Sequence, residues 1–135
     1  MEGRKCIVGY VYCQSFGMEK VEFIQKIRDR TKAFAVKIIK KYGKWPKNDE
    51  IRIIGKQLIR SSTSVAANYR AVCRARSKAE FFAKLCIVVE EADETLFWLE
   101  VLEEAELVKA GELQELQKEI TELLSIFAKA RKNTE

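Results

Sequence analysis

The 135-residue sequence contains no histidine, a single proline (Pro46) and only six glycines. Without histidine the commonest general base and the commonest metal ligand are both missing. Ser-His-Asp and Cys-His catalysis and the Glu-x-x-His ligand sets of ferritin-like di-metal bundles are therefore excluded. Scarce proline and glycine argue against a β-sandwich or barrel, which needs many tight turns. No apolar run reaches the roughly 18 residues of a membrane span, so no membrane association is expected. The four cysteines, Cys6, Cys13, Cys73 and Cys86, form no C-x-x-C pair. A zinc site would need all four together, at spacings unsuited to it. Cys73 and Cys86 lie in helical sequence, where a free thiol behaves as a small hydrophobe, and a reducing cytoplasm is the simplest compartment. Neither a metal nor a cofactor is expected.

What is present suits amphipathic helices: 47% of residues are apolar and 33% charged, in a length that fits one domain. The first 17 residues, MEGRKCIVGYVYCQSFG, hold an apolar stretch behind Arg4 and Lys5 that faintly imitates a signal peptide. Gly9 interrupts it and no small-residue cleavage site follows. Residues 1–17 are therefore taken as an arm or extension, and residues 18–135 as the domain.

Four helical segments are predicted, roughly 19–43, 49–75, 78–107 and 112–131. Gly43 to Asp49 holds the only proline, with Asn48 or Asp49 placed to cap the second helix. Ser77 with Glu80 forms a capping box that opens the third, and Gly111 precedes the fourth. Short connections make sequential helices antiparallel neighbours, so the predicted fold is all-α, an antiparallel up-down-up-down four-helix bundle. The first helix sets Phe23, Ile24, Ile27, Phe34, Ile38, Ile39 and Tyr42 on one arc. The fourth has a narrower stripe, Leu113, Leu116, Ile120, Leu123, Phe127 and Ala130, and is expected to be peripheral. The third is apolar nearly all round, more than one bundle can bury. Phe82, Ile87, Phe97, Trp98 and Val101 are therefore expected at an interface that closes a homo-oligomer.

Charge is segregated. Residues 19–48 hold ten Lys/Arg against three acids and residues 49–76 six against two, whereas residues 77–106 hold two against nine. Lys26, Arg30, Lys37, Lys40, Lys41 and Lys44 share one sector of the first helix; Arg52, Lys56, Arg70 and Arg74 share one of the second. Such stripes suit phosphate neutralisation by RNA or DNA binding. They equally suit a solvated face whose cations balance the third helix. No aromatic platform accompanies them, so any recognition would be of backbone or shape. The acidic island Glu90, Glu91, Asp93 and Glu94 reads as structural ion pairs rather than a metal site, with Arg60 the nearest cation and Arg70 and Arg74 close by. In the run SSTSVAAN, Gln57, Ser61, Ser64 and Asn68 share a polar, small-side-chain face. A nucleophilic serine there has no base and no G-x-S-x-G turn.

Residues 55–100 resemble a bacterial four-helix-bundle family first noticed as reading frames within intervening sequences of 23S rRNA genes. The pattern Q-x-x-R-S-x-x-S-V-x-A-N is met by Gln57, Arg60, Ser61, Ser64, Val65, Ala67 and Asn68. The S-x-x-E-F segment is met by Ser77, Glu80 and Phe81, and E-A-x-E-x-x-x-W-L by Glu91, Ala92, Glu94, Trp98 and Leu99. The likeness extends more loosely from about Phe23 to Phe127. It implies ring-shaped homopentamers, no catalysis and a nucleic-acid role. In fold, though in no quotable motif, the family is also similar to the accessory proteins of diversity-generating retroelements. A reverse transcriptase is accordingly an implied partner, alongside a reading as a protein-interaction scaffold that binds no nucleic acid.

Overall fold

A computed structural model describes residues 17–135, with side chains from Val21 onward. Four helices make up the fold: α1 (Gly17–Lys44), α2 (Asp49–Cys73), α3 (Lys78–Glu104) and α4 (Gln114–Thr134), with no strand among the described residues. The expected arm lies outside the described residues except for Gly17, where α1 begins.

The chemistry of the helix ends explains where they fall. Asn48 caps α2, its side-chain oxygen accepting from the Ile51 amide at 2.8 Å. Ser77 caps α3 by accepting from the Glu80 amide at 3.0 Å. Several boundaries shift by one to three residues from expectation, and two of the shifts have a visible cause. The third helix stops at Glu104 rather than 107, because Glu106 adopts a left-handed conformation (φ 56°) and the Leu107 amide closes back on the Leu102 carbonyl at 3.1 Å. This closure normally uses glycine, and glutamate there leaves no sequence signal. The fourth helix begins at Gln114 rather than 112, after Gly111 turns the chain at φ 80°.

Each helix packs on its sequence neighbours, most extensively α2 on α3, while α1 and α4 meet only sparsely. The core is filled from all four helices: Ile27, Phe34 and Ile38, then Leu58 and Val65, then Val88 and Leu99, then Ile120, Leu123 and Phe127. Tyr69 of α2 meets Phe127 of α4 across the centre, ring centroids 5.3 Å apart. The fourth helix, expected to be peripheral, thus contributes some of the most deeply buried side chains. The apolar arc of the first helix is wider than the wedge it fills, and Phe23 and Ile39 stay 41% and 46% exposed instead of joining the core. Where α1 crosses α2, Gly55 is the contact point: a Cβ there would sit 2.1 Å from Cε1 of Tyr42.

Polar clips hold the loosely packed α1–α4 seam. Arg30 donates to Glu119 at 2.7 and 3.0 Å and to Glu122 at 3.0 Å. The buried Trp45, just past α1, donates its indole N–H to Glu112 at 2.7 Å and so ties the α1–α2 turn to the turn before α4.

Candidate nucleic-acid interface

Ten cations were expected to form the basic faces, and the structure divides them. Lys26, Lys37, Lys40 and Lys44 of α1, Lys56 and Arg70 of α2, and Arg74 just past the end of α2 are all exposed, and none has a carboxylate within ion-pair distance among the described residues. Arg52 is exposed, 3.5 Å from Asp49 one turn earlier. Two leave the face. Arg30 is turned to the α4 carboxylates, and that pairing holds its guanidinium firmly protonated and Glu119 below the usual carboxylate range. Lys41 lies 3.8 Å from Glu112, whose carboxyl is lowered first by the Trp45 N–H and further by the Lys109 amide and the Lys41 charge. Both sit on the side of α1 that faces α4, where acids on or just before that helix reach them. A single-helix wheel carries no such information.

Along the outer seam of α1 and α2 runs a groove of about 760 Å³. Its floor is small and apolar, with Ala35, Val36 and Ile39 from α1 and Ala66, Ala67 and Ala71 from α2. Its rim brings Arg70 and Arg74 opposite Arg28 and Lys32 of α1, two cations outside the expected set. Their i, i+4 spacing was visible in sequence, but only the antiparallel alignment of α1 with α2 places them across from Arg70 and Arg74. Of the two acids at the groove, Glu80 is engaged by the Arg76 amide and guanidinium, which hold its carboxyl below the usual range. The other, Asp29, accepts from Gln25 at 3.1 Å.

The motif residues join α2 to α3. Arg60 donates to Glu91 at 3.1 Å and to Glu94, its Nε donates to Gln57 at 3.2 Å, and Glu94 also accepts from the Trp98 indole at 3.0 Å. The Trp98 and Arg60 contacts together hold the Glu94 carboxyl low. The Arg60 side chain is 47% exposed, so this network lies at the rim of the α2–α3 seam rather than in its interior. Arg70 and Arg74, expected near the acidic island, line the opposite seam of α2 instead. Inside the α2–α3 seam the buried hydroxyls of Ser61 and Thr95 lie 2.9 Å apart, with Ser61 also 3.2 Å from the Leu58 carbonyl and Thr95 2.8 Å from the Glu91 carbonyl. Asn68 donates to the carbonyl and hydroxyl oxygens of Ser64 at 2.9 and 3.0 Å. The Ser61–Thr95 pair ties α2 to α3, whereas the Asn68 contacts lie within α2.

Of the residues expected at a subunit interface, Ile87 and Phe97 are exposed on the outside of α3, while Phe82, Trp98 and Val101 are half-buried. Phe97 packs edge-on against Trp98, centroids 4.9 Å apart. Cys73 is buried and Cys86 half-buried; Cys6 and Cys13 lie outside the described residues. No group of three or more Cys, Asp or Glu side chains among the described residues is placed to hold a metal ion. No described helix is long and apolar enough to cross a membrane.

A four-helix bundle whose polar motif serves helix pairing, with a basic outer face on its first two helices, is the class these observations define. The sequence profile of the family described as 23S rRNA-intervening sequence protein matches residues 24–129, and the chain belongs to that family. A solved structure from Bacteroides thetaiotaomicron VPI-5482, described as a protein of unknown function from the S23 ribosomal protein family, is 31% identical. Their alignment covers 81% of this chain and 97% of that one, with a TM-score of 0.74. No curated protein matches.

Proposed function

We propose that this is a non-catalytic nucleic-acid-binding protein that engages the phosphates of structured RNA or DNA through the outer face of α1 and α2 and acts as a closed homo-oligomer. The observation that carries the binding is the set Lys26, Lys37, Lys40, Lys44 and Lys56, exposed and with no carboxylate within ion-pair distance among the described residues. A net charge of +5 per chain, multiplied by assembly, concentrates a positive field that favours polyanions. The rigid helical spacing of the cations suits a regular phosphate backbone, and the absence of a stacking platform leaves shape as the recognised feature. Self-association is supported by the exposed apolar side chains of α3, and the family resemblance implies five subunits.

Fluorescence anisotropy of a labelled RNA hairpin and a DNA duplex across a salt series tests the binding. Affinity should fall steeply, the slope of log K against log salt being about −0.7 to −0.9 per phosphate contacted. Replacing Lys37, Lys40, Lys44 and Lys56 together by glutamine should flatten that slope by roughly 3 to 4. No binding at low salt ends the proposal.

A further inference from the structure

Two surfaces that do not include the five lysines on which the proposed phosphate contact rests complement each other. One is the outer ridge of α3. Ala83, Ile87, Glu90, Phe97 and Glu100 recur there at helical spacing, Ile87 and Phe97 remaining 36% and 50% exposed. Glu90, Asp93 and Glu100 are exposed, with no cation within ion-pair distance among the described residues. The other is the groove between α1 and α2, with its floor of alanines, Val36 and Ile39 and its rim of Arg28, Lys32, Arg70 and Arg74.

We propose that the groove of one copy receives the α3 ridge of the next copy of this chain. Alanines on the floor let a helix backbone approach closely, and Val36 and Ile39, 41% and 46% exposed, offer apolar contact to Phe97 and Ile87. The rim cations then meet the ridge carboxylates, and a patch of one sign faces a patch of the other. Other occupants fit less well. A nucleic-acid backbone would leave the apolar floor unmatched, and the groove offers no aromatic platform for bases. The chain's own first 17 residues carry Arg4 and Lys5 against the single acid Glu2, the wrong charge for a basic rim. Pairing of two ridges about a two-fold axis would bring carboxylates against carboxylates.

The groove lies on the α1–α2 seam and the ridge on α3, so the contact is head-to-tail and satisfies every subunit only by closing into a ring. The proposal rests on the self-association reading and says which surfaces meet. It leaves Lys37, Lys40, Lys44 and Lys56 outside the contact, available to phosphate.

Two variants test it by size exclusion with light scattering at micromolar concentration, with circular dichroism melts as the check on folding. Arg70→Glu with Arg74→Glu disables the groove and keeps the ridge; Ile87→Glu with Phe97→Glu does the reverse. Each alone should run as a monomer of 15.6 kDa. Their equimolar mixture should form one discrete dimer, because one intact ridge meets one intact groove and the remaining two surfaces are both disabled. Should the ridge variant melt early, Phe97→Ala replaces it, removing only a half-exposed ring. A groove variant that still assembles by itself, or a mixture that stays monomeric, overturns the head-to-tail contact while leaving self-association intact. A monomeric parent chain overturns both. Loss of RNA binding in the groove variant with assembly unchanged would overturn this assignment and give the groove to phosphate.

Discussion

Gly55→Ala sets two effects of opposite sign against each other at a position where the structure decides the winner. In an exposed helix interior, glycine to alanine stabilises by about 0.8–1.0 kcal/mol through backbone entropy alone. Here the new Cβ would sit 2.1 Å from Cε1 and 2.4 Å from Cδ1 of Tyr42, where carbon atoms normally stay about 3.5 Å or more apart. The ring must move by more than an ångström. Tyr42 is not free to swing, because it packs edge-on against Trp45, centroids 6.4 Å apart, and lies under Lys47, whose Nζ is 4.4 Å from the ring centre and donates to the carbonyls of Tyr42 and Trp45. Overpacking of this kind costs about 1–3 kcal/mol and the aromatic pair a further ~0.5–1.5 if broken, so the net expectation is a destabilisation of about 2 kcal/mol. For a domain of this size that is a fall in Tm of roughly 6–10 °C. In a Tyr42→Ala background the clash disappears and the same substitution should stabilise, reversing its sign. Thermal or urea melts of the four proteins of this double-mutant cycle measure both numbers. A Gly55→Ala protein more stable than its parent would refute the close approach of α1 and α2.

Arg60→Ala should cost only about 0.2–1 kcal/mol, since a side chain 47% exposed forms a rim ion pair rather than the buried one whose loss costs about 3–5. A Tm more than ten degrees below the parent would contradict that placement. Glu106→Gly should raise stability by about 0.5–1 kcal/mol, because glycine adopts the left-handed conformation at φ 56° without the Cβ penalty; an unchanged or lower melting temperature would count against the closure described at the end of α3. The folded-state pKa values of Glu112 and Glu119 lie below the ordinary carboxylate value of about 4.3, so their stabilising contribution is complete above that pH and is lost as pH falls through the lowered values. Melts between pH 3 and 7 should show a stability loss on the acid side that is smaller in Arg30→Ala, where Glu119 has no guanidinium to keep it ionised. An identical pH profile in the two proteins would dissociate Arg30 from that loss.

Helix positions and caps were legible because they depend on local chemistry. Asn48 and Ser77 cap through their own side chains, and the periodicity of the α4 stripe marks Leu116, Ile120, Leu123 and Phe127 as a buried face whatever they pack against. The end of α3 was not legible, since a glutamate in a left-handed closure looks like any other helical glutamate. Trp45 gave a similarly weak signal. In sequence it is one residue of a turn, and its bond to Glu112 joins two turns 67 positions apart.

The candidate interface divides along the same line. The sequence alone determined that α1 and α2 are basic and α3 acidic, and that α3 is apolar nearly all round, because composition and spacing within a single helix suffice for both. Only the tertiary structure decided which cations remain available. Arg30 and Lys41 are drawn to carboxylates on and just before α4, while Arg28 and Lys32 are brought across a groove from Arg70 and Arg74. The physical reason is that a charge is consumed or left free by what lies within a few ångströms of it in space, and on a bundle surface most of those neighbours come from a different helix.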